Sequence, residues 1–99
     1  MSPHTLIALR AREYPLTWEP VPCDMCMQPA VDTHHINSSF RWKRSDDVYN
    51  LALVCRDCHN ACHKQENAET RQQRINKVFY ILNNLEERKE KIRWFNYYL

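Results

Sequence analysis

The sequence predicts a small α+β domain, on three observations. Two Cys-x-x-Cys pairs, Cys23/Cys26 and Cys55/Cys58, bracket a stretch containing two short strand-like runs. A helical pattern starts at the second pair. A longer one follows, with apolar residues at three- and four-residue steps. A chain of 99 residues buries only a modest core. Four thiolates in two knuckles suit one tetrahedral structural zinc, which would add folding energy directly.

The elements follow in chain order. Residues 1–22, with prolines at 15, 20 and 22, read as an irregular arm holding a short strand or a helical turn. Residues 23–54 hold the first knuckle and a hairpin. Residues 30–36 form its incoming strand and the apolar run 49–54 its returning strand. Between them, residues 37–48 form a polar loop with Ser45-Asp46-Asp47 as turn material. Glycine is absent, so left-handed backbone there is expected to fall to Asn or Asp.

Residues 56–66 read as a helix, with Asp57 favouring its N-terminus through the dipole. From Ala68 onward Ile75, Val78, Phe79, Leu82 and Leu85 form an amphipathic stripe, read as one additional C-terminal helix. Its end is aromatic: Ile92, Trp94, Phe95, Tyr97 and Tyr98. The stripe reads first as packing against the metal module and second as a face for a protein partner or homodimer. Together these sections make one domain, 1–99: an arm (1–22), a zinc-stabilised module (23–66) and a helical extension (67–99).

Charge and cysteine usage set the setting. The formal net charge is only +2. Distribution is more telling: Arg41-Trp42-Lys43-Arg44 lies between the knuckles, and Arg71, Arg74, Lys77, Arg88, Lys89, Lys91 and Arg93 dot the tail. Such clusters either meet phosphates or are solvated surface. No apolar run approaches a membrane span, and the N-terminus lacks a secretory layout, so the expectation is a cytoplasmic protein with no membrane. In a reducing compartment, five cysteines fit four metal ligands and one spare better than a disulfide framework. Cys58 with Cys62 or His63 offers an alternative ligand set. The four-cysteine set is preferred, with Cys62 as a small buried residue.

The histidines form a second constellation. On a strand, His34 and His35 point to opposite sides. On a helix, His59 and His63 are four apart and share one face. Three neutral imidazoles with open coordination positions can hold one divalent ion as a Lewis acid, while a fourth near neutral pKa serves as base. Phosphodiester hydrolysis needs these parts: activated water, a cation for developing charge, and help for the leaving oxygen.

In Asp32-Thr33-His34-His35-Ile36 and Asn50-Leu51-Ala52-Leu53-Val54-Cys55-Arg56-Asp57-Cys58-His59-Asn60-Ala61-Cys62-His63, flanked by the cysteine pairs, the chain resembles the HNH endonuclease family, the ββα-metal nucleases. The resemblance covers residues 23–66. It implies a ββα-metal, treble-clef-like zinc module. It also implies His35 as general base, His34 and His59 as ligands of the catalytic ion, His63 as a further ligand or a transition-state partner, and Asn50 as the residue that orients the base across the hairpin. Arg41, Lys43 and Arg44 are its candidates for phosphate contact, in a loop that lacks the glycines frequent in the family.

The resulting expectation is a phage or bacterial nuclease that nicks or cuts DNA with structural Zn and one catalytic Mg, Mn, Ni or Zn ion. The alternative is a non-catalytic zinc module that binds nucleic acid or protein, as a regulatory subunit of a larger assembly.

Overall fold

A computed structural model describes the backbone of residues 1–16, 20–37 and 46–98, and side chains through residue 94. Its elements are α1 (Pro3–Ala11), β1 (Asp32–His35), a 3-10 turn (Val48–Asn50), β2 (Leu51–Val54), α2 (Arg56–Gln65), α3 (Ala68–Asn83) and α4 (Leu85–Tyr98). Among the described residues this is an α+β chain with one two-stranded antiparallel sheet and four α-helices.

The sheet organises everything else. Leu51, Ala52, Leu53 and Val54 are all buried, as a strand covered on both faces must be. Its alternation splits the core in two. Ala52 and Val54 join Cys23, Ile36, Cys55 and Val78 on one side, with Ile75 and Leu82 of α3 against them. Leu51 and Leu53 join Ala8, Leu9 and Tyr14 on the other. The register pairs Asp32 with Val54, Thr33 with Leu53, His34 with Ala52 and His35 with Leu51. Residues opposite one another in an antiparallel pair share a face. Asp32 and His34 therefore look toward the side of α2 and α3, and Thr33 and His35 toward α1.

The N-terminal segment is more ordered than its prolines suggest. Instead of an irregular arm it forms the nine-residue α1, with Pro3 in the first turn, where a missing N–H costs nothing. Its end is a Schellman motif: Tyr14 N–H donates to Leu9 O at 3.0 Å and Glu13 N–H to Arg10 O at 3.0 Å. Glu13 takes the left-handed position at φ 58°, and Met27 in the first knuckle takes another at φ 69°. Neither is the Asn or Asp that a glycine-free chain would be expected to place there. Each is held instead by the hydrogen bonds of its turn, Met27 through N–H to Cys23 O at 3.1 Å.

Arg12, one residue past α1, is fully buried and donates to Asp24 twice, from Nη2 at 2.8 Å and Nε at 3.3 Å. It also reaches Ala8 O at 2.8 Å and Leu51 O at 2.9 Å. Asp24 in turn accepts Leu53 N–H at 2.9 Å, and its own N–H donates to Leu53 O at 2.7 Å. From α4, Arg88 Nη2 lies 3.5 Å from Asp24 Oδ1 and donates to Pro22 O and Cys23 O at 3.3 Å each. Its Nε donates to the Tyr14 hydroxyl at 2.9 Å, and burial raises the pKa of that phenol. Arg88 is therefore a structural cation, not a surface charge available to phosphate.

The C-terminal extension is two helices rather than one. An Asn67/Thr70 capping box opens α3, and Asn84 ends it. Val78 and Ile81 are its buried residues. Phe79, half exposed, lies outside the main core and stacks on Tyr49 with ring centroids 5.2 Å apart.

Arg12→Met strips Asp24 of its main partner and should destabilise the fold by about 3–5 kcal/mol, the usual cost of breaking a buried pair. Arg56 is 69% exposed beside Asp32, and Arg56→Met should cost under about 1 kcal/mol. Urea unfolding of both variants checks this contrast; equal losses would contradict it.

Candidate metal centre and active site

The four cysteines of the two knuckles converge. One sulfur from each of Cys23, Cys26, Cys55 and Cys58 lies within 4.8 Å of all the others, and Cys26 and Cys55 sulfurs are 3.4 Å apart. Two backbone amides turn toward sulfur, Met25 N–H to Cys23 Sγ and Cys58 N–H to Cys55 Sγ, both at 3.4 Å. The Cys58 amide holds the Cys55 thiol pKa below its usual value, while burial raises those of Cys26 and Cys58. Crowded sulfurs that cannot all shed protons alone become thiolates around a cation, so the set is compatible with zinc. Cys62 stands apart from them, buried, with Arg74 Nε 3.0 Å from its sulfur.

Cys55 also serves as N-cap of α2, so the knuckle fixes where that helix starts and which face carries His59 and His63. Their Nε2 atoms are 3.0 Å apart. His34, arriving from β1, sits with its ring centroid 5.2 Å from that of His59 and 5.5 Å from that of His63. One nitrogen from each of the three lies within 4.8 Å of the others. His59 Nδ1–H donates to Asp32 Oδ2 at 3.0 Å, which leaves the Nε2 lone pair facing His63. A carboxylate behind an imidazole is the usual support of a metal-ligating histidine. Burial lowers the pKa of His34, with Glu66 opposing, and so favours the neutral form a ligand needs. A proton shared by His59 and His63 can give way to a divalent ion, so these residues fit one.

His35 turns to the other side of β1. Its Nε2–H donates to Asp46 Oδ1 at 2.8 Å, and its ring lies 4.9 Å from that of His4 on α1. The Asn50 side chain bonds the backbone of Asn37, accepting its N–H at 2.7 Å and donating to its carbonyl at 3.2 Å. Together with Ile36 N–H donating to Asn50 O at 2.9 Å, it fastens the chain as it leaves His35. Arg41, Lys43 and Arg44 lie outside the described residues.

Several site residues have no role in the sequence reading: Asp32, Asp46, Glu66 and His4. Two carried a usable signal. Asp32 is two residues before His34 on a strand, hence on the same face. Glu66 is three residues past His63, close to its helical face, and its Oε2 is 3.3 Å from His34 Nε2. Asp46 and His4 carried none, because only the tertiary fold brings them to His35.

Residues 23–69, just under half of the chain, match the family model described as HNH endonuclease. This segment is similar to HNH endonucleases. No curated protein and no solved structure matches the chain. The matched segment comprises the first knuckle, the sheet, α2 and the start of α3; α1 and α4 lie outside it. No helix among the described residues is long and apolar enough to cross a membrane.

Cys55→Ser should release zinc and unfold much of the chain together, because metal binding and folding are coupled. Cys62→Ser should retain the zinc. Metal analysis paired with far-ultraviolet circular dichroism checks both; a folded, zinc-replete Cys55→Ser protein would exclude the four-cysteine assignment.

Proposed function

We propose that the protein is an endonuclease that hydrolyses DNA phosphodiester bonds with one divalent ion. The observation that carries this reading is the convergence of His34, His59 and His63, with His35 on the opposite face of the same short strand. β1, β2 and α2 are read as the ββα-metal arrangement, closed in treble-clef fashion by a zinc on Cys23, Cys26, Cys55 and Cys58. Among the described residues, β1 pairs with β2 along one edge and with no strand on the other. A phosphodiester lying along the other edge would reach both faces of the strand.

The residues then divide the work. His34, His59 and His63 would hold the ion, and Asp32 fixes the tautomer of His59. When bound, the ion supplies Lewis-acid stabilisation of charge on the phosphate oxygens. His35 takes a proton from water: with Nε2–H donated to Asp46, Nδ1 keeps the lone pair that accepts it. Asp46 then faces a developing imidazolium and stabilises it, as a carboxylate behind a catalytic imidazole does. Asn50 keeps the backbone after His35 in place through Asn37. Arg41, Lys43 and Arg44 follow closely in sequence and are read as contacts to the DNA backbone.

His35→Ala should bind the divalent ion nearly normally and cut plasmid about 100- to 10,000-fold more slowly, the usual cost of losing a general base. His59→Ala should weaken ion binding and cleavage together while the four-cysteine zinc survives. Calorimetric titration beside plasmid cleavage separates the roles, and the opposite pairing of outcomes would contradict them. Asn50→Ala should keep its zinc and lose rate, because a base out of line with water loses most of its advantage. Full activity in that variant would argue against a positioning role. A wild-type protein that binds DNA and cuts with none of Mg, Mn, Ni or Zn would support the binding-module alternative.

A further inference from the structure

His4 lies outside the matched segment, yet α1 delivers it to the centre. Its ring centroid is 4.9 Å from that of His35, tilted by 58°, and one donor atom from each of His4, His35 and Asp46 lies within 4.8 Å of the others. This placement is held by several contacts. Ser2 Oγ is 3.2 Å from His4 Nε2 and 2.8 Å from Thr5 Oγ1, and Thr5 Oγ1 is 2.9 Å from Thr33 Oγ1 on β1. At the other end of α1, Arg12 is locked to Asp24. The helix is therefore fixed at both ends, and His4 with it.

Two imidazoles and a carboxylate form a known type of divalent site that leaves coordination positions open. The geometry points to a second such site at His4, His35 and Asp46, separate from the three-histidine set on the other face of β1. Imidazole donors favour Zn, Ni or Cu over Mg, which prefers oxygen and keeps its water. The consequence rests on the reading of His35 as base. An ion at this site would bind His35 through Nε2 in the tautomer that carries the ring proton on Nδ1, and would take Asp46 as well; the Nδ1 lone pair that accepts a proton from water is then gone. Occupancy is thus inhibitory. The enzyme runs on the ion held by His34, His59 and His63 and is shut off when zinc rises enough to fill the His4 site. Neither β1 alone nor the matched segment alone supplies this control, because one ligand comes from α1.

The test is His4→Ala, compared with wild type in two measurements. Equilibrium dialysis against Zn(II) should show one fewer zinc per chain in His4→Ala, and likewise in Asp46→Asn, with circular dichroism confirming that both are folded. If a variant retains the zinc, its affinity should fall by at least the roughly 10- to 100-fold that loss of an outer-shell partner costs. In plasmid cleavage driven by Mg or Mn, added zinc should inhibit wild type, while His4→Ala keeps its basal rate and resists the inhibition. Equal zinc stoichiometry and affinity in all three proteins would overturn the site. Lost zinc binding with unrelieved inhibition would overturn the regulatory role and assign inhibition to the three-histidine set. The dialysis difference does not depend on cleavage, so an inactive wild type would contradict the nuclease reading alone.

Discussion

The buried ion pair between Arg12 and Asp24 sets the frame on which the cysteine and histidine clusters stand. Asp24 is inside the first Cys-x-x-Cys, and its carboxylate accepts from Arg12 after α1, Arg88 on α4 and the Leu53 amide on β2. One side chain thus connects four parts of the chain that are distant in sequence. Such burial is costly unless every lone pair and proton is used, and no buried side-chain nitrogen or oxygen among the described residues lacks a partner. Two arginines against one aspartate leave a local charge of about +1 where Arg88 meets the Cys23 carbonyl. That surplus offsets part of the −2 that zinc with four thiolates would carry. The knuckle and the helices that flank the matched segment are therefore coupled electrostatically as well as by packing.

From that frame, the alternation of two four-residue strands decides which face each histidine takes. β2 sends Ala52 and Val54 one way and Leu51 and Leu53 the other, and β1 follows in register. A one-residue slip would exchange the histidines between faces, putting His34 beside α1 and His35 beside α2. Both cores would have to be reversed at once, since Leu51 and Leu53 pack on α1 and Ala52 and Val54 on the α3 side. The apolar pattern of β2, whose Ala52 and Leu51 lie opposite His34 and His35, is thus what keeps the two histidines on separate faces.

Much of this was legible in the sequence because it depends on local spacing. The knuckles, α2, the shared face of His59 and His63 and the divergence of His34 from His35 follow from fixed periods of three to four and of two. The strands came out shorter than the runs 30–36 and 49–54, since residues 48–50 form a 3-10 turn capped by Asp47. What escaped depends on contacts across the chain. Arg12, Asp24 and Arg88 read as ordinary charges until the fold buries them together. Residues 1–22 looked irregular because three of their four prolines fall after position 14, whereas Pro3 sits in the first turn of α1, where it is tolerated. A single C-terminal stripe hid the break at Asn84, because apolar spacing continues across it. His4 and Asp46 meet His35 only because α1 and the loop end fold back over one face of β1.

In the proposed division of labour, four cysteines would hold a zinc that supports the fold, and the histidines the ion that cleavage requires. Stepwise chelation measures this most directly. Wild-type protein is titrated with chelator while plasmid nicking, bound zinc and far-ultraviolet circular dichroism are followed together. Nicking should vanish at chelator levels that leave the tightly held zinc and the helical signal intact, and Mg, Mn or Ni should restore it. If nicking persisted after all weakly bound ions were gone, or disappeared only with zinc and helix together, the two sites would not have separate roles.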